Sequence, residues 1–130
     1  MNTNTKTIIL ISILLIVIIL SGSLTLYYLE RSAGILEYSV ISASKSVSDK
    51  QWTSAEKQLE EFNKNWDRTK YYWAMLVDHF EIDNIDDSFT KTKMYVESED
   101  YSSALAELEA LKYYILHIPK KESFSFENIF

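Results

Sequence analysis

Apolar residues are distributed along this chain in two ways. In "TIILISILLIVIILSGSLTLYYL", residues 7–29, they fall on every side of any helix that could be drawn, and no charged side chain interrupts them. Such a run predicts a helix greasy all round, long enough to cross a hydrocarbon layer, which takes about 20 residues. Beyond it the apolar positions recur at steps of three or four. Trp52, Ala55, Leu59, Phe62, Trp66, Thr69, Trp73, Leu76 and Phe80 draw one stripe, and Glu56, Lys57, Glu60, Glu61, Lys64 and Asp67 occupy the opposite face. This spacing predicts a continuous helix over residues 50–80, started by Ser48 or Asp49 as the cap.

Weaker stripes flank it. Ile35, Tyr38 and Ile41, with Lys45 or Val47 beyond, extend a helix out of the first run. Asp83 and Asn84 predict a break, because their side chains compete for backbone hydrogen bonds. Ile85, Phe89, Thr92 and Val96 then form a short stripe. Ser98, Glu99 and Asp100 supply a cap ahead of Tyr101, Ala104, Leu108, Leu111, Ile115 and Ile118, and Pro119 predicts the stop. The tail "ESFSFENIF" is expected to lie extended, with Phe124, Phe126 and Phe130 covering the seam.

Each soluble helix has one face to hide, so the expected fold is all-α: a transmembrane helix followed by an antiparallel bundle of three to four helices. Its core is expected from Trp52, Ala55, Leu59, Phe62, Trp66, Trp73, Leu108, Leu111 and Ile115. An echo runs through it, since Trp52/Ala55/Leu59 repeats as Tyr101/Ala104/Leu108 after an acidic residue in both cases. The plain reading is that two amphipathic helices start alike; the alternative is a tetratricopeptide-like hairpin. At ~1.5 Å per residue a helix over residues 50–80 is roughly 46 Å long, whereas residues 30–47 reach only about 27 Å. The long helix must therefore bend near residues 65–67 or the first one must lean, and the absence of Pro and Gly favours the unbent form.

Composition narrows the class. The chain has 130 residues, 47% of them hydrophobic, with two Gly, one Pro and no Cys. One small domain follows the greasy run, without disulfides, thiolate chemistry or a lipid-modified cysteine. Only Lys6 of the 13 basic residues precedes that domain, which carries all 19 acidic ones. An acidic surface of this kind excludes nucleic acid as the expected partner.

The greasy run can be read as a retained anchor or as a secretory signal. A signal would use Lys6 as its charged region, residues 8–20 as the apolar core and Ser21-Gly22-Ser23 as the cleavage site. The anchor reading is preferred, because Leu24, Leu26, Tyr27, Tyr28 and Leu29 carry the apolar run past that site and Tyr27 and Tyr28 suit the membrane interface. The span is placed from Ile8 to Leu29, dividing the chain into a tail and anchor (1–29) and a helical domain (30–130). A short N-terminal tail predicts a cytoplasmic N-terminus and an extracytoplasmic domain in the cell membrane. The early Glu of a type IV pilin helix is missing from this run.

Candidate chemistry is sparse. "DHFEIDNIDD" offers His79, Glu81 and Asp83 as weak metal ligands, but lacks the glycine and spacing of a calcium loop; a helix end followed by an acidic helix start accounts for it. His79 is expected to cap the last carbonyls of the long helix. Glu60/Glu61 and Asp86/Asp87 are neighbours in sequence and point apart on a helix, so no paired-carboxylate hydrolase is expected. No phosphate loop, nucleophile elbow or HExxH motif occurs. No catalytic residue and no cofactor are assigned.

Several motifs taken together resemble a known family. They are W-x2-A-x3-L-x6-W-x6-W from Trp52 to Trp73, H-x-E-I-D-x-I from His79 to Ile85, A-x3-L-x2-L-K from Ala104 to Lys112, and the terminal Asn128, Ile129 and Phe130, all behind an N-terminal span. The pattern resembles domain-of-unknown-function family 4363, small single-span helical proteins of Gram-positive bacteria. The resemblance implies an all-helical, membrane-attached protein and brings no activity. The expected function is therefore non-enzymatic: a membrane-anchored interaction or assembly protein whose partner is another envelope protein or a second copy. The alternative is a sensory or cation-binding bundle with a cavity lined by Tyr71, Tyr72, Trp73 and His79.

Overall fold

The computed structural model describes residues 2–129, so the expectation for Phe130 lies outside the described residues. Its elements are α1 (Thr3–Ser48), α2 (Trp52–Leu76), α3 (His79–Glu97) and α4 (Tyr101–Ile129), with no strand among the described residues. The helices alternate in direction and pack in a ring, α1 on α2, α2 on α3, α3 on α4 and α4 back on α1.

All four seams follow a heptad. Leu29, Ala33, Leu36, Val40, Ala43 and Val47 are buried on α1, and Ala55, Leu59, Phe62, Trp66, Thr69 and Trp73 on α2. Ile82, Ile85, Thr92 and Val96 on α3, and Ala104, Leu108, Leu111, Ile115 and Ile118 on α4, complete the core. Steps alternating four and three keep one face toward a neighbour over many turns, the geometry of left-handed bundle packing. Small residues on α1 (Ser32, Ala33, Ser39, Ala43) are buried, and Ser32 stands opposite Trp73 of α2. Trp66 and Trp73 meet edge to face at 5.7 Å, and the Trp73 indole N–H donates to Ser32 Oγ at 2.9 Å. Of the residues expected in the core, Trp52 is half-buried, while Leu76 and Phe80 at the far end of the stripe are exposed.

The stripe expected on α1 is corrected. Ile35, Tyr38 and Ile41 point to solvent, and the buried face is the one of smaller residues described above. Both faces are apolar, and the neighbours on the ring select the one that lets α2 and α4 approach closely. Three further boundaries differ from expectation. The long helix is continuous through Asn65-Trp66-Asp67 but ends at Leu76. Val77 is extended (φ −128°, ψ 166°), and the Asp78 carboxylate accepts the Phe80 N–H at 3.0 Å, so the cap of α3 is Asp78 and not Asp83. Neither Ser48 nor Asp49 caps α2 through its side chain; Gln51 stands at that position without a side-chain bond. Pro119 does not stop α4, which runs on to Ile129 and takes the tail, expected to be extended, with it. The proline forfeits one backbone bond, and contacts on either side hold the helix: Pro119 is buried, Lys121 pairs with Glu81 on α3, and Phe126 packs on Gly22 of α1.

The early end of α2 also resolves the length mismatch. Ser46 bonds Ser54 at 3.1 Å at one end of the α1–α2 pair, and Tyr28 meets Tyr72 edge to face at 5.9 Å at the other. The two helices thus lie side by side without bend or lean. α4, with 29 residues, is longer than α2, with 25.

The sequence echo has a backbone counterpart. At the end of α1 the N–H groups of Lys50 and Gln51 donate to Val47 and Ser46; at the end of α3 those of Glu99 and Asp100 donate to Val96 and Tyr95. These are the same two reversed bonds of a Schellman cap, and Lys50 and Glu99 share a left-handed φ of 56°. The α1–α2 and α3–α4 hairpins are therefore built alike around one turn. The α1–α4 contact closes them into a ring, unlike the open stack of tetratricopeptide hairpins.

Two outcomes follow for stability. Trp66, 1% exposed, is expected to cost about 3–5 kcal/mol when replaced by Ala; denaturant midpoints measure it, and a loss under about 1 kcal/mol would contradict the packing. Because a side chain in the left-handed region costs roughly 1–2 kcal/mol, Glu99→Gly is expected to raise the midpoint and Glu99→Val to lower it.

Candidate functional site

Three carboxylates hold helices together. Glu81, 8% exposed on the first turn of α3, takes Lys121 of α4 at 3.0 Å. Asp86 accepts the Trp66 indole N–H at 2.7 Å and also binds Lys70, bridging α3 to α2. Glu107 accepts the buried Ser88 hydroxyl at 2.7 Å, bridging α4 to α3. Every buried side-chain polar atom among the described residues has a partner. These contacts fix the lateral register of the ring and leave no desolvated, unpaired acid or base.

The weak metal candidates do not converge. His79 and Asp83 are exposed on α3, Glu81 faces Lys121, and the described residues contain no group of three His, Asp or Glu side chains able to hold an ion. His79 opens α3 rather than capping α2. Glu60 and Glu61 are both exposed, and Asp87 pairs with Lys91 while Asp86 faces Trp66 and Lys70. The cavity expected from Tyr71, Tyr72, Trp73 and His79 does not form: Trp73 is in the core, whereas Tyr71, Tyr72 and His79 are on the surface. His117 stacks on Tyr113 along the outer face of α4 at 5.5 Å.

What stands out instead is exposed apolar surface, in three places. The first is residues 8–20, apolar and exposed throughout. This one segment near the N-terminus is long and apolar enough to cross a membrane. Leu29, expected as its last residue, belongs to the bundle core, and α1 passes from the apolar run into the bundle without a break. Its outer end is also occupied: the C-terminal turns of α4 lie along Ile18, Ser21, Gly22, Thr25 and Leu26. A Cβ on Gly22 would come within 2.3 Å of the Phe126 ring, so glycine here is what lets the ring seat. The second place is the outward stripe of α1, Ile35, Tyr38 and Ile41, with Tyr38 74% exposed; beside Gly34 a shallow groove lies open. The third is the end of the bundle nearest the apolar run, where Tyr71, Tyr72, Met75 and Leu76 of α2, Phe80 of α3 and Phe124 of α4 are all exposed. A groove between α2 and α3, floored by Leu59 and Phe89, is rimmed by charges of both signs, among them Glu56, Glu60, Lys64 and Lys93. The outward α1 stripe was visible in the sequence, but its direction was not; the apolar end was missed because its members are spread over three helices.

Lys121 carries an electrostatic shift tied to an interhelical pair. The hydrogen bond and charge of Glu81 hold its ammonium above the ordinary lysine value. A raised folded value means that the pair's stabilisation is complete below the ordinary lysine pKa and is lost as the pH climbs through the raised one. Lys121→Met is expected to remove that alkaline fall in stability and to lower stability at neutral pH, since Glu81 would then be buried without its partner. Melting temperatures across the alkaline range check both.

No curated protein and no solved structure matches the chain. A family model does, over residues 23–129, from the outer part of the apolar run to the last described turn of α4. With a match of that extent, the chain belongs to the DUF4363 family, a domain of unknown function.

Proposed function

We propose that this protein is a membrane-anchored, non-enzymatic assembly module, held by residues 8–26 of α1 and presenting its bundle on the extracytoplasmic side to a helix of another protein or of a second copy in the same membrane. The observation that carries the reading is the outward stripe Ile35, Tyr38 and Ile41, which lies on the same unbroken helix as the candidate span. A stripe of that kind costs solubility unless it is covered. Its place on α1 suits a polypeptide that leaves the membrane alongside it, because a shared bilayer fixes the height of both partners.

Retention of the anchor is supported by the seat of Phe126 on Gly22. A signal peptidase would have to open the helix at Ser21-Gly22-Ser23 against α4, and cutting there would remove the surface on which the end of α4 rests. The orientation follows from the short tail around Lys6. Engagement of the carboxylates in interhelical pairs favours a structural rather than a catalytic use of this bundle.

The test is a photo-crosslinking amino acid at position 38, and at position 94 for comparison, in the full chain in intact cells. Met94 is similarly exposed but lies on α3 near the opposite end of the bundle. A discrete adduct is expected from position 38 and not from 94, and it should vanish when Ile35 and Ile41 are both changed to Asp, with helicity and membrane fractionation unchanged. Equal labelling at both positions, no adduct at 38, or an adduct indifferent to the two Asp substitutions would overturn the reading.

A further inference from the structure

Tyr28 and Tyr72 touch at 5.9 Å, and α2 runs antiparallel to α1. One turn further along α2, Met75 and Leu76 therefore fall level with residues 24–25 of α1. Phe80 opens α3 directly after the short turn at the same end. From the other side, Phe126 sits on Gly22, which brings Phe124, one turn up α4 from the helix end, to a similar height. Tyr27, Met75, Leu76, Phe80 and Phe124, on all four helices, thus form a collar at one transverse level, each of them exposed.

The height of a membrane boundary can be reached independently. Lys6 is the last charged residue before the apolar run, and a hydrocarbon layer of ~30 Å takes about 20 residues of helix, which ends the acyl region near Leu26. This is the level of the collar. Aromatic and flexible apolar side chains are the types that settle between acyl chains and headgroups. The collar also continues the uncovered apolar surface of α1 without a gap, since Leu24 and Tyr27 are exposed between the two.

We infer that the near end of the bundle is seated in the lipid interface, with Met75, Leu76, Phe80 and Phe124 buried among headgroups and upper acyl chains around the exit point of α1. The inference rests on the anchor reading above. The occupant is lipid rather than a protein because the collar lies beside the point where α1 enters the bilayer and continues the exposed apolar surface of the span through Leu24 and Tyr27. Its neighbourhood carries charges of both signs: Lys120 and Lys121 line one groove with Phe124, Arg31 donates to the Tyr27 hydroxyl, and Asp78, Asp83 and Glu127 are exposed nearby, so the seat is an apolar one rather than an attraction to anionic headgroups. Seated in this way, the bundle is held at a fixed height and tilt, and the α1 stripe is presented to other proteins of the same membrane at a constant distance from it.

The chain contains no cysteine, so single-cysteine variants report cleanly. The full protein is reconstituted in phosphatidylcholine nanodiscs carrying nitroxide-tagged phosphatidylcholine. A fluorescent label is placed in turn at Met75→Cys, Phe80→Cys, Met94→Cys and Leu14→Cys. Met75 and Met94 are alike in type and in exposure, 65% and 61%, so lipid contact is what distinguishes them. Labels at 75 and 80 are expected to lose fluorescence to the lipid nitroxide and to be shielded from aqueous iodide, between the extremes set by 14 and 94. If 75 and 80 behave as 94 does while 14 is quenched from the lipid, the collar stands in water and the inference falls, with the anchor intact. If 14 itself is quenched by iodide, the anchor reading fails and the seat with it.

Discussion

One unbroken helix has to satisfy two environments, and the rest of the molecule is arranged around that requirement. From Ile8 to Leu20 α1 is apolar on nearly every side and exposed throughout. For its second half it supplies one wall of the helical bundle. A backbone that keeps all its hydrogen bonds internal can make this transition without a loop, and one unbroken helix then joins the apolar run to the bundle. The side chains change along it accordingly, from Ile and Leu on all faces to a seam of Leu, Ala, Val and Ser on one.

That seam sets what its neighbours can be. Ser32 on that seam accepts the Trp73 indole N–H that would otherwise be orphaned. On the other flank Gly22 leaves room for Phe126, so that α4 continues past Pro119 and follows α1 into the apolar run. Interhelical pairs then tie α3 to its two neighbours through Trp66–Asp86, Ser88–Glu107 and Glu81–Lys121. Glu81 and Asp86, which the sequence offered to metal or acid–base chemistry, are here lateral ties of a ring.

The two hairpins share their turn down to the left-handed residue, Lys50 in one and Glu99 in the other, and their second helices start with the same aromatic, Ala and Leu spacing. A molecule assembled from two like hairpins need not keep both in the same surroundings. The first has its leading helix extended through the apolar run, while the second has its trailing helix lengthened to meet it. The exposed apolar surface is concentrated on that extended side, on the outward face of α1 and around the point where it leaves the bundle. Family membership brings no chemistry with it, so these surfaces carry the functional reading.

Much of this could be read from the order of residues. Periodicity alone predicts an all-helical chain, the position of the apolar run, the seam of α2 from Ala55 to Trp73 and that of α4 from Ala104 to Ile118, because one face of each is polar and the other is not. It could not choose between the two apolar faces of α1, since the choice depends on which neighbours approach and how closely. Nor could it show that α2 stops at Leu76, where a local Asp78 cap competes with a continuing stripe, or that Pro119 is crossed, where contacts from α1 and α3 outweigh one lost backbone bond. Local pattern determined which segments are helices; only packing decided where they end, which face turns inward, and which apolar residues from separate helices come to share one level.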